Sequence, residues 1–153
     1  MPDETLQSPV DRLRAIMRQL RDPDDGCEWD LAQDFETIAP YTIEEAYEVA
    51  DAIAGGQPDA ICDELGDLLL QVVFHSQIAA DRGLFTFDDV AAAISDKMER
   101  RHPHIFGDAK TNDVRLQWEQ IKAAEREADG RASALAGVAL SLPALLRAQK
   151  LQS

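Results

Sequence analysis

The chain has 153 residues with 29 acidic and 15 basic side chains, so its formal net charge is −14 at pH 7. This length suits one domain with a single core, and the acidity argues against a general nucleic-acid-binding surface, because phosphate backbones attract basic surfaces. The sequence has no apolar run long enough to cross a membrane, no signal-peptide pattern at its N-terminus and no zinc-like Cys or His spacing, so it predicts a cytoplasmic protein with reduced thiols.

The first forty residues predict one helix followed by a turn-rich loop. Residues 1–7 are predicted to be a loose terminus, whereas Ser8 and Pro9 are typical of a helix N-cap and first helical position. Residues 21–30, RDPDDGCEWD, are rich in turn formers and end this helix, and Trp29 could be a core residue that covers the turn. Residues 31–42 are predicted to be an irregular or single-turn connection, with Pro40 near the start of the next helix.

Residues 43–75 predict two helices joined by a tight turn at residues 54–58, AGGQP. The first helix carries Glu44, Glu45 and Glu48, and the second carries Glu64 and Asp67. Residues three or four apart share a helix face, so an antiparallel hairpin folded at Gly56 brings the Glu45/Glu48 and Glu64/Asp67 pairs to the same level. Four carboxylates this close repel one another unless a cation lies among them.

An acidic run in an acidic protein can also be a solvated helix face. The second helix argues against this, because apolar residues surround nearly its whole circumference and predict a buried helix; they are Leu65, Leu68, Leu69, Leu70, Val72, Val73 and Phe74. Its one polar strip consists of Glu64, Asp67, Gln71 and His75. Buried carboxylates must be paired or bind a metal, and hard oxygen ligands favour Mg²⁺, with Mn²⁺ as a substitute.

The segment after this hairpin predicts a helix with a basic C-terminal end. Gly83 ends the preceding helix, and Thr86 to Asp89 has the pattern of a capping box for a helix that turns Val90, Ile94 and Met98 towards the core. Lys97 and Arg101 share a face and could bind phosphate oxygens. Cations at a helix C-terminus are also favoured by the helix dipole alone, so both interpretations stay open.

The rest of the chain predicts one more long helix, over about residues 112–128, a linker at 129–141 and a short amphipathic helix, LPALLRAQKLQ. Trp118 and Lys122 share a face of the long helix, and Trp118 could equally be a core anchor. Taken together, residues 1–153 predict a single all-α domain, a helical bundle built around the antiparallel hairpin. Because so few further helices can cover the apolar hairpin, we expect a homodimer.

The order EEAYE, fifteen residues, ELGD resembles the EExxE…ExxD signature of the MazG family of nucleoside triphosphate pyrophosphohydrolases. Further segments are similar to MazG segments in the family's order: LRDPDDGCEWD, YTIEEAYEV, DELGDLLLQVVFHSQIA, RRHPHIFGD and LPALLRAQKLQ. The resemblance covers roughly residues 9–151, and it departs from the family at Glu28, where proline is usual. Many family members continue into a second, similar domain.

The resemblance implies an all-α enzyme that uses Mg²⁺ to hydrolyse (deoxy)nucleoside triphosphates to monophosphate and pyrophosphate, by water attack at the α-phosphorus. It implies metal ligation by Glu45, Glu48, Glu64 and Asp67, and activation of the water by Glu44. It implies a nucleotide site that includes Lys97, Arg101, Trp118 and Lys122, close to the loop of Trp29. Dimers or higher homo-oligomers that remove unwanted nucleotides from the cellular pool are the expected form and role.

Three alternatives belong beside this interpretation. A di-iron carboxylate bundle needs two ExxH motifs, and this chain has one, at residues 99–102. A related all-α pyrophosphatase selective for dUTP or dCTP would share the carboxylate logic. A metal-binding regulatory or dimerisation module without useful turnover would belong to a different class of protein.

Overall fold

The computed structural model describes residues 7–108 and 113–130, and all regular structure in these ranges is helical. The helices are α1 (Pro9–Leu20), α2 (Glu28–Leu31), α3 (Phe35–Gly55), α4 (Pro58–Asp81), α5 (Phe87–Arg101), α6 (Pro103–Phe106) and α7 (Val114–Ala128). The prediction of an all-α fold is confirmed. None of these helices is long and apolar enough to cross a membrane. The predicted C-terminal helix, the linker from residue 131 on and residues 1–6 of the predicted loose terminus lie outside the described residues.

The described residues divide into two compact units at Ala92/Ala93. The first unit contains α1 to α4 and the start of α5, and the second contains the rest of α5 with α6 and α7. Buried side chains from three helices form the core of the first unit; they are Met17 of α1, Ile38 of α3, and Val73, Phe74 and Ile78 of α4. That residues 1–153 together form a single domain stays a prediction.

Helices α3 and α4 form a hairpin, as the turn residues predict. Gly56 follows α3 with a φ of 73°, in the left-handed region that favours glycine, and Pro58 is the first residue of α4. Across the hairpin, the Thr42 hydroxyl lies 3.1 Å from Gln71 Oε1 and 2.9 Å from His75 Nε2. Thr42 and Gln71 lie about equally far from Gly56 along the chain, so their contact shows that the two helices run antiparallel.

The N-caps of α1 and α5 also agree with the sequence analysis. The Ser8 hydroxyl accepts a hydrogen bond from the Asp11 N–H at 3.2 Å. At α5 the Thr86 N–H donates to Asp89 Oδ2 at 2.9 Å, and the Asp89 N–H donates to the Thr86 hydroxyl at 3.2 Å. These reciprocal bonds satisfy N–H groups that have no partner inside the helix.

The start of α3 differs from the prediction. The helix begins at Phe35, so residues 35–42 are helical and Pro40 lies inside α3. Asp34 and Thr37 form a capping box, in which Asp34 Oδ1 accepts from the Thr37 N–H at 2.8 Å and the Thr37 hydroxyl accepts from the Asp34 N–H at 2.9 Å. Proline removes one helical hydrogen bond, and this early cap holds the first turn in spite of that loss.

The prediction that α4 is buried on all sides is wrong for the single chain. Val73 is 2% exposed, but Leu65, Leu69 and Val72 are 49%, 39% and 38% exposed. The helices that pack most against α4 are α3 and α1, and they leave one apolar side uncovered. The inward orientation predicted for Ile94 on α5 is wrong as well, since this residue is 49% exposed.

The loop between α1 and α2 is fixed by Arg21. Its Nη1 donates to the carbonyl oxygens of Asp30 and Gln33 at 2.6 and 3.2 Å, and its Nε donates to Asp81 at 2.9 Å. Gly26 is required by a close approach, because a Cβ there would lie 2.4 Å from the carbonyl oxygen of Asp22. The contacts of Arg21 connect the end of α1 with α2 and with the last residue of α4.

The short helix α2 explains two features of the loop sequence. Glu28 is its first residue, a position at which proline is also favoured, so the departure from the family pattern is compatible with the same conformation. Trp29 packs edge-on against Tyr41 and Phe74, with ring centroids 6.0 and 6.4 Å away, and it is still 51% exposed. It therefore covers the ends of the core without being enclosed by it.

Candidate metal centre and basic cluster

Four carboxylates converge between α3 and α4, and they are the four predicted metal ligands. One oxygen from each of Glu45, Glu48, Glu64 and Asp67 lies within 4.8 Å of the others. Each helix supplies two residues three positions apart, which places both on one face. Antiparallel packing on either side of Gly56 then brings the two pairs to the same level.

Two oxygens of this carboxylate cluster lack hydrogen-bond partners within the described part of the chain. Glu45 Oε2 and Glu64 Oε2 are buried, and neither has a hydrogen-bond partner among the described residues. Leaving a buried charged oxygen unpaired costs free energy. A divalent cation would satisfy both oxygens, so the donor set fits a hard metal ion.

The burial and mutual repulsion of these carboxylates also raise the pKa values of Glu45 and Glu64. Removal from water, a hydrogen bond with Glu48 and the nearby charges of Glu48, Asp67 and Glu64 raise the pKa of Glu45 to about 7. Removal from water, followed by the charge of Glu48, also raises the pKa of Glu64. Protons would therefore compete with a metal ion for these oxygens.

Glu44, the predicted water-activating residue, lies outside the carboxylate cluster. It is exposed and precedes Glu45 by one position, which turns it to a different side of α3. Solvent reaches its carboxylate directly. Its role in catalysis stays a prediction.

A hydrogen-bonded strip continues from the carboxylate cluster towards the other end of the hairpin. Thr42 contacts both Gln71 and His75, and the ring of Phe35 stacks on His75 with centroids 5.9 Å apart. Burial lowers the pKa of His75, so its ring is neutral at pH 7. Thr42 is not among the site residues predicted from the sequence; its spacing of three residues from Glu45 is the signal that places it on the same face.

The second unit contains the predicted nucleotide-site residues, and two of them, Arg101 and Trp118, are in contact. The guanidinium of Arg101 lies over the ring of Trp118, with Cζ 5.1 Å from the ring centroid. The ring of His102 meets Trp118 edge-on at 5.0 Å. Trp118 is therefore partly buried against the C-terminal end of α5, so it acts as a packing anchor in addition to any role in binding.

The three predicted phosphate-binding cations differ in their salt bridges. Arg101 is paired with Glu125, which also accepts a hydrogen bond from Arg100. Lys122 lies 3.6 Å from Glu119 of its own helix. Lys97 is half-buried, and it forms no salt bridge with any residue within 7–108 and 113–130.

Comparison with known proteins adds a family relationship. Residues 33–106 match the family model of the MazG nucleotide pyrophosphohydrolase domain. The chain is 56% identical over 146 residues to a nucleoside triphosphate pyrophosphohydrolase of Escherichia coli K12, covering 94% of this chain and 56% of that protein. It is 46% identical over 142 residues to the nucleoside triphosphate pyrophosphohydrolase/pyrophosphatase MazG of Thermotoga maritima, covering 93% of this chain and 54% of that protein. The chain thus spans about half the length of these relatives.

Proposed function

The chain belongs to the MazG family of nucleotide pyrophosphohydrolases, and on this premise we propose that it hydrolyses (deoxy)nucleoside triphosphates between the α- and β-phosphates. The products are a nucleoside monophosphate and pyrophosphate, and the role is removal of unwanted nucleotides in the cytoplasm. The observation that carries the proposal is the convergence of four carboxylates with two buried oxygens that lack partners.

In this proposal Glu45, Glu48, Glu64 and Asp67 hold Mg²⁺, for which Mn²⁺ can substitute. When bound, the ion supplies positive charge that stabilises the charge developing on the phosphate oxygens. Glu44 orients or deprotonates the attacking water. Its exposed position beside Glu45 supports this role, because water reaches it without crossing the core.

The same proposal assigns substrate binding to Lys97, Arg101, Trp118 and Lys122. Lysine and arginine attract phosphate oxygens, and an indole ring offers a stacking surface for a base. Three basic residues assigned to one site are unusual in a chain with a net charge of −14. Within the part of the chain that the structure describes, Lys97 and Nη1 of Arg101 have no hydrogen-bond partner, so both can donate to a ligand.

Pyrophosphate release from a panel of nucleoside triphosphates, with and without Mg²⁺, tests the function. We expect Mg²⁺-dependent release of pyrophosphate from nucleoside triphosphates with several different bases. Release confined to dUTP or dCTP would identify the selective pyrophosphatase. An absence of release from every nucleotide would identify a regulatory or dimerisation module and would refute the proposal.

Metal binding should appear in the stability of the protein as well as in its activity. The raised pKa of Glu45 means that the folded metal-free protein binds this proton more tightly than the unfolded chain does. The stabilising contribution of Glu45 is therefore complete below its ordinary pKa of 4.5 and is lost as the pH rises through about 7. We expect the melting temperature of the metal-free protein to fall over this window through this group.

Adding Mg²⁺ should reverse that loss, because it binds the deprotonated carboxylates of the folded state. The increase in melting temperature on adding Mg²⁺ should be larger at about pH 8 than at about pH 5.5. Thermal melts at both pH values, with and without Mg²⁺, measure this difference. An equal increase at both pH values, or no increase, would argue against a metal bound at Glu45.

We also propose that the protein is a homodimer or a higher homo-oligomer. The exposed apolar side of α4, formed by Leu65, Leu69 and Val72, supports this, since burying such a side provides the free energy of association. Sedimentation equilibrium at micromolar concentration should give a mass at least twice that of the chain. The mass of a single chain would refute the proposal.

A further inference from the structure

One edge of the Arg101 guanidinium is occupied, and the other is free of partners among the described residues. Its Nε and Nη2 donate to Glu125 Oε2 at 3.1 and 2.8 Å, while its face lies over Trp118. The remaining nitrogen, Nη1, has no hydrogen-bond partner among the residues the structure describes. A guanidinium held in this way presents a ready donor edge to an incoming anion.

Glu125 is itself held firmly. Its other oxygen, Oε1, accepts a hydrogen bond from Arg100 Nε at 2.8 Å, and its side chain is 20% exposed. The hydrogen bonds from Arg101 hold the pKa of Glu125 below its ordinary value in spite of partial burial. The carboxylate is therefore charged at neutral pH and is fixed from both sides.

We propose that Glu125 is a positioning residue for the nucleotide: it holds the Arg101 guanidinium against Trp118 with the Nη1 edge free for a phosphate oxygen. The proposal rests on the assignment of Arg101 to triphosphate binding. Without Glu125, the Arg101 side chain would be free to adopt several rotamers. It would lose that conformational entropy on binding substrate, which would weaken the binding. Glu125 contacts arginine side chains and needs no contact with the nucleotide.

Loss of Glu125 should weaken nucleotide binding if Glu125 positions Arg101, whereas its negative charge considered alone predicts stronger binding when Glu125 is removed. Removing an acidic group near a phosphate site should strengthen binding of the anion through the local potential. Positioning should outweigh this effect, because the charge of Glu125 is already paired with both Arg100 and Arg101 at hydrogen-bond distance. The sign of the change in nucleotide affinity therefore separates the two effects.

A double-mutant cycle tests the proposal on the full chain with a nucleotide that it hydrolyses. Glu125→Gln should lower kcat/KM about fivefold to twentyfold, mostly through KM, and should change it less than about twofold when Arg101 is already alanine. Glu127→Gln, an exposed glutamate on the same helix, is the matched control and should leave kcat/KM unchanged. Glu125→Asp, which keeps the charge on a shorter side chain, should fall between Gln and wild type.

Each outcome supports or overturns a distinct claim. Suppose that Arg101→Ala lowers kcat/KM. If Glu125→Gln then leaves kcat/KM unchanged or raises it, the positioning role is wrong and the phosphate site stands. If Glu125→Gln costs the same factor with and without Arg101, Glu125 acts only through stability, and melting temperatures will show it. If Arg101→Ala has no effect, both the positioning role of Glu125 and the assignment of Arg101 to the phosphate site are wrong. Should Glu125→Gln fail to fold, Glu125→Asp in the same cycle decides among these outcomes.

Discussion

Asp67→Asn is expected to abolish Mg²⁺-dependent hydrolysis and to leave the helical content unchanged. The amide keeps the shape of the side chain but loses the charge that a divalent cation needs, so we expect kcat/KM to fall by at least about a hundredfold to a thousandfold. The same change removes one of the charges that repel Glu45 and Glu64. The metal-free variant should therefore melt at a higher temperature than the metal-free wild type.

This opposite movement of activity and stability distinguishes a metal site from a structural cluster. Glu48→Gln should behave in the same way. Asp51→Asn, an exposed carboxylate on α3 outside the cluster, is the matched control and should change neither quantity. Full activity in Asp67→Asn or in Glu48→Gln would remove the metal assignment.

Lys97→Ala and Arg101→Ala should each lower kcat/KM by about tenfold to several hundredfold, which corresponds to about 1.4 to 3.5 kcal/mol for a lost charge-assisted contact. Stabilisation by Mg²⁺ should remain nearly the same, because the carboxylates are untouched. If Lys97 serves only the helix dipole, Lys97→Ala should instead cost a few tenths to about 1 kcal/mol of folding free energy and little activity.

The structure sharpens the expected result for Arg101. Arg101→Ala also removes two hydrogen bonds to Glu125, so its melting temperature should fall more than that of Lys97→Ala. Arg115→Ala, an exposed cation on α7, controls for net charge. Trp118→Phe should keep partial activity as a smaller stacking ring. Unchanged kinetics in both Lys97→Ala and Arg101→Ala would move the triphosphate site elsewhere on the chain.

The carboxylate cluster was predictable because it depends on local rules. Helical periodicity places Glu45 with Glu48 and Glu64 with Asp67, and the Gly56 turn sets the register between the pairs. The start of α3 was harder to predict, because the proline at 40 and the capping box at Asp34 point to different first residues. The cap determines the outcome, since one proline removes only one hydrogen bond of a long helix.

Contacts between distant side chains could not be predicted from the sequence. The apolar residues of α4 show what needs to be covered, but they do not show which helix covers it, and Leu65 and Leu69 remain exposed. Likewise, the pairing of Arg101 with Glu125 joins residues 24 positions apart on two helices. That contact depends on how α5 and α7 pack, which helical periodicity leaves undetermined.

Hydrolysis in water labelled with heavy oxygen tests the central claim most directly. With Mg²⁺ and a nucleoside triphosphate, attack at the α-phosphorus places the label in the nucleoside monophosphate and leaves pyrophosphate unlabelled. Mass spectrometry of the two products should show this distribution, and Asp67→Asn should give neither product above background. Label in pyrophosphate, or release of orthophosphate with a diphosphate, would contradict the proposed reaction.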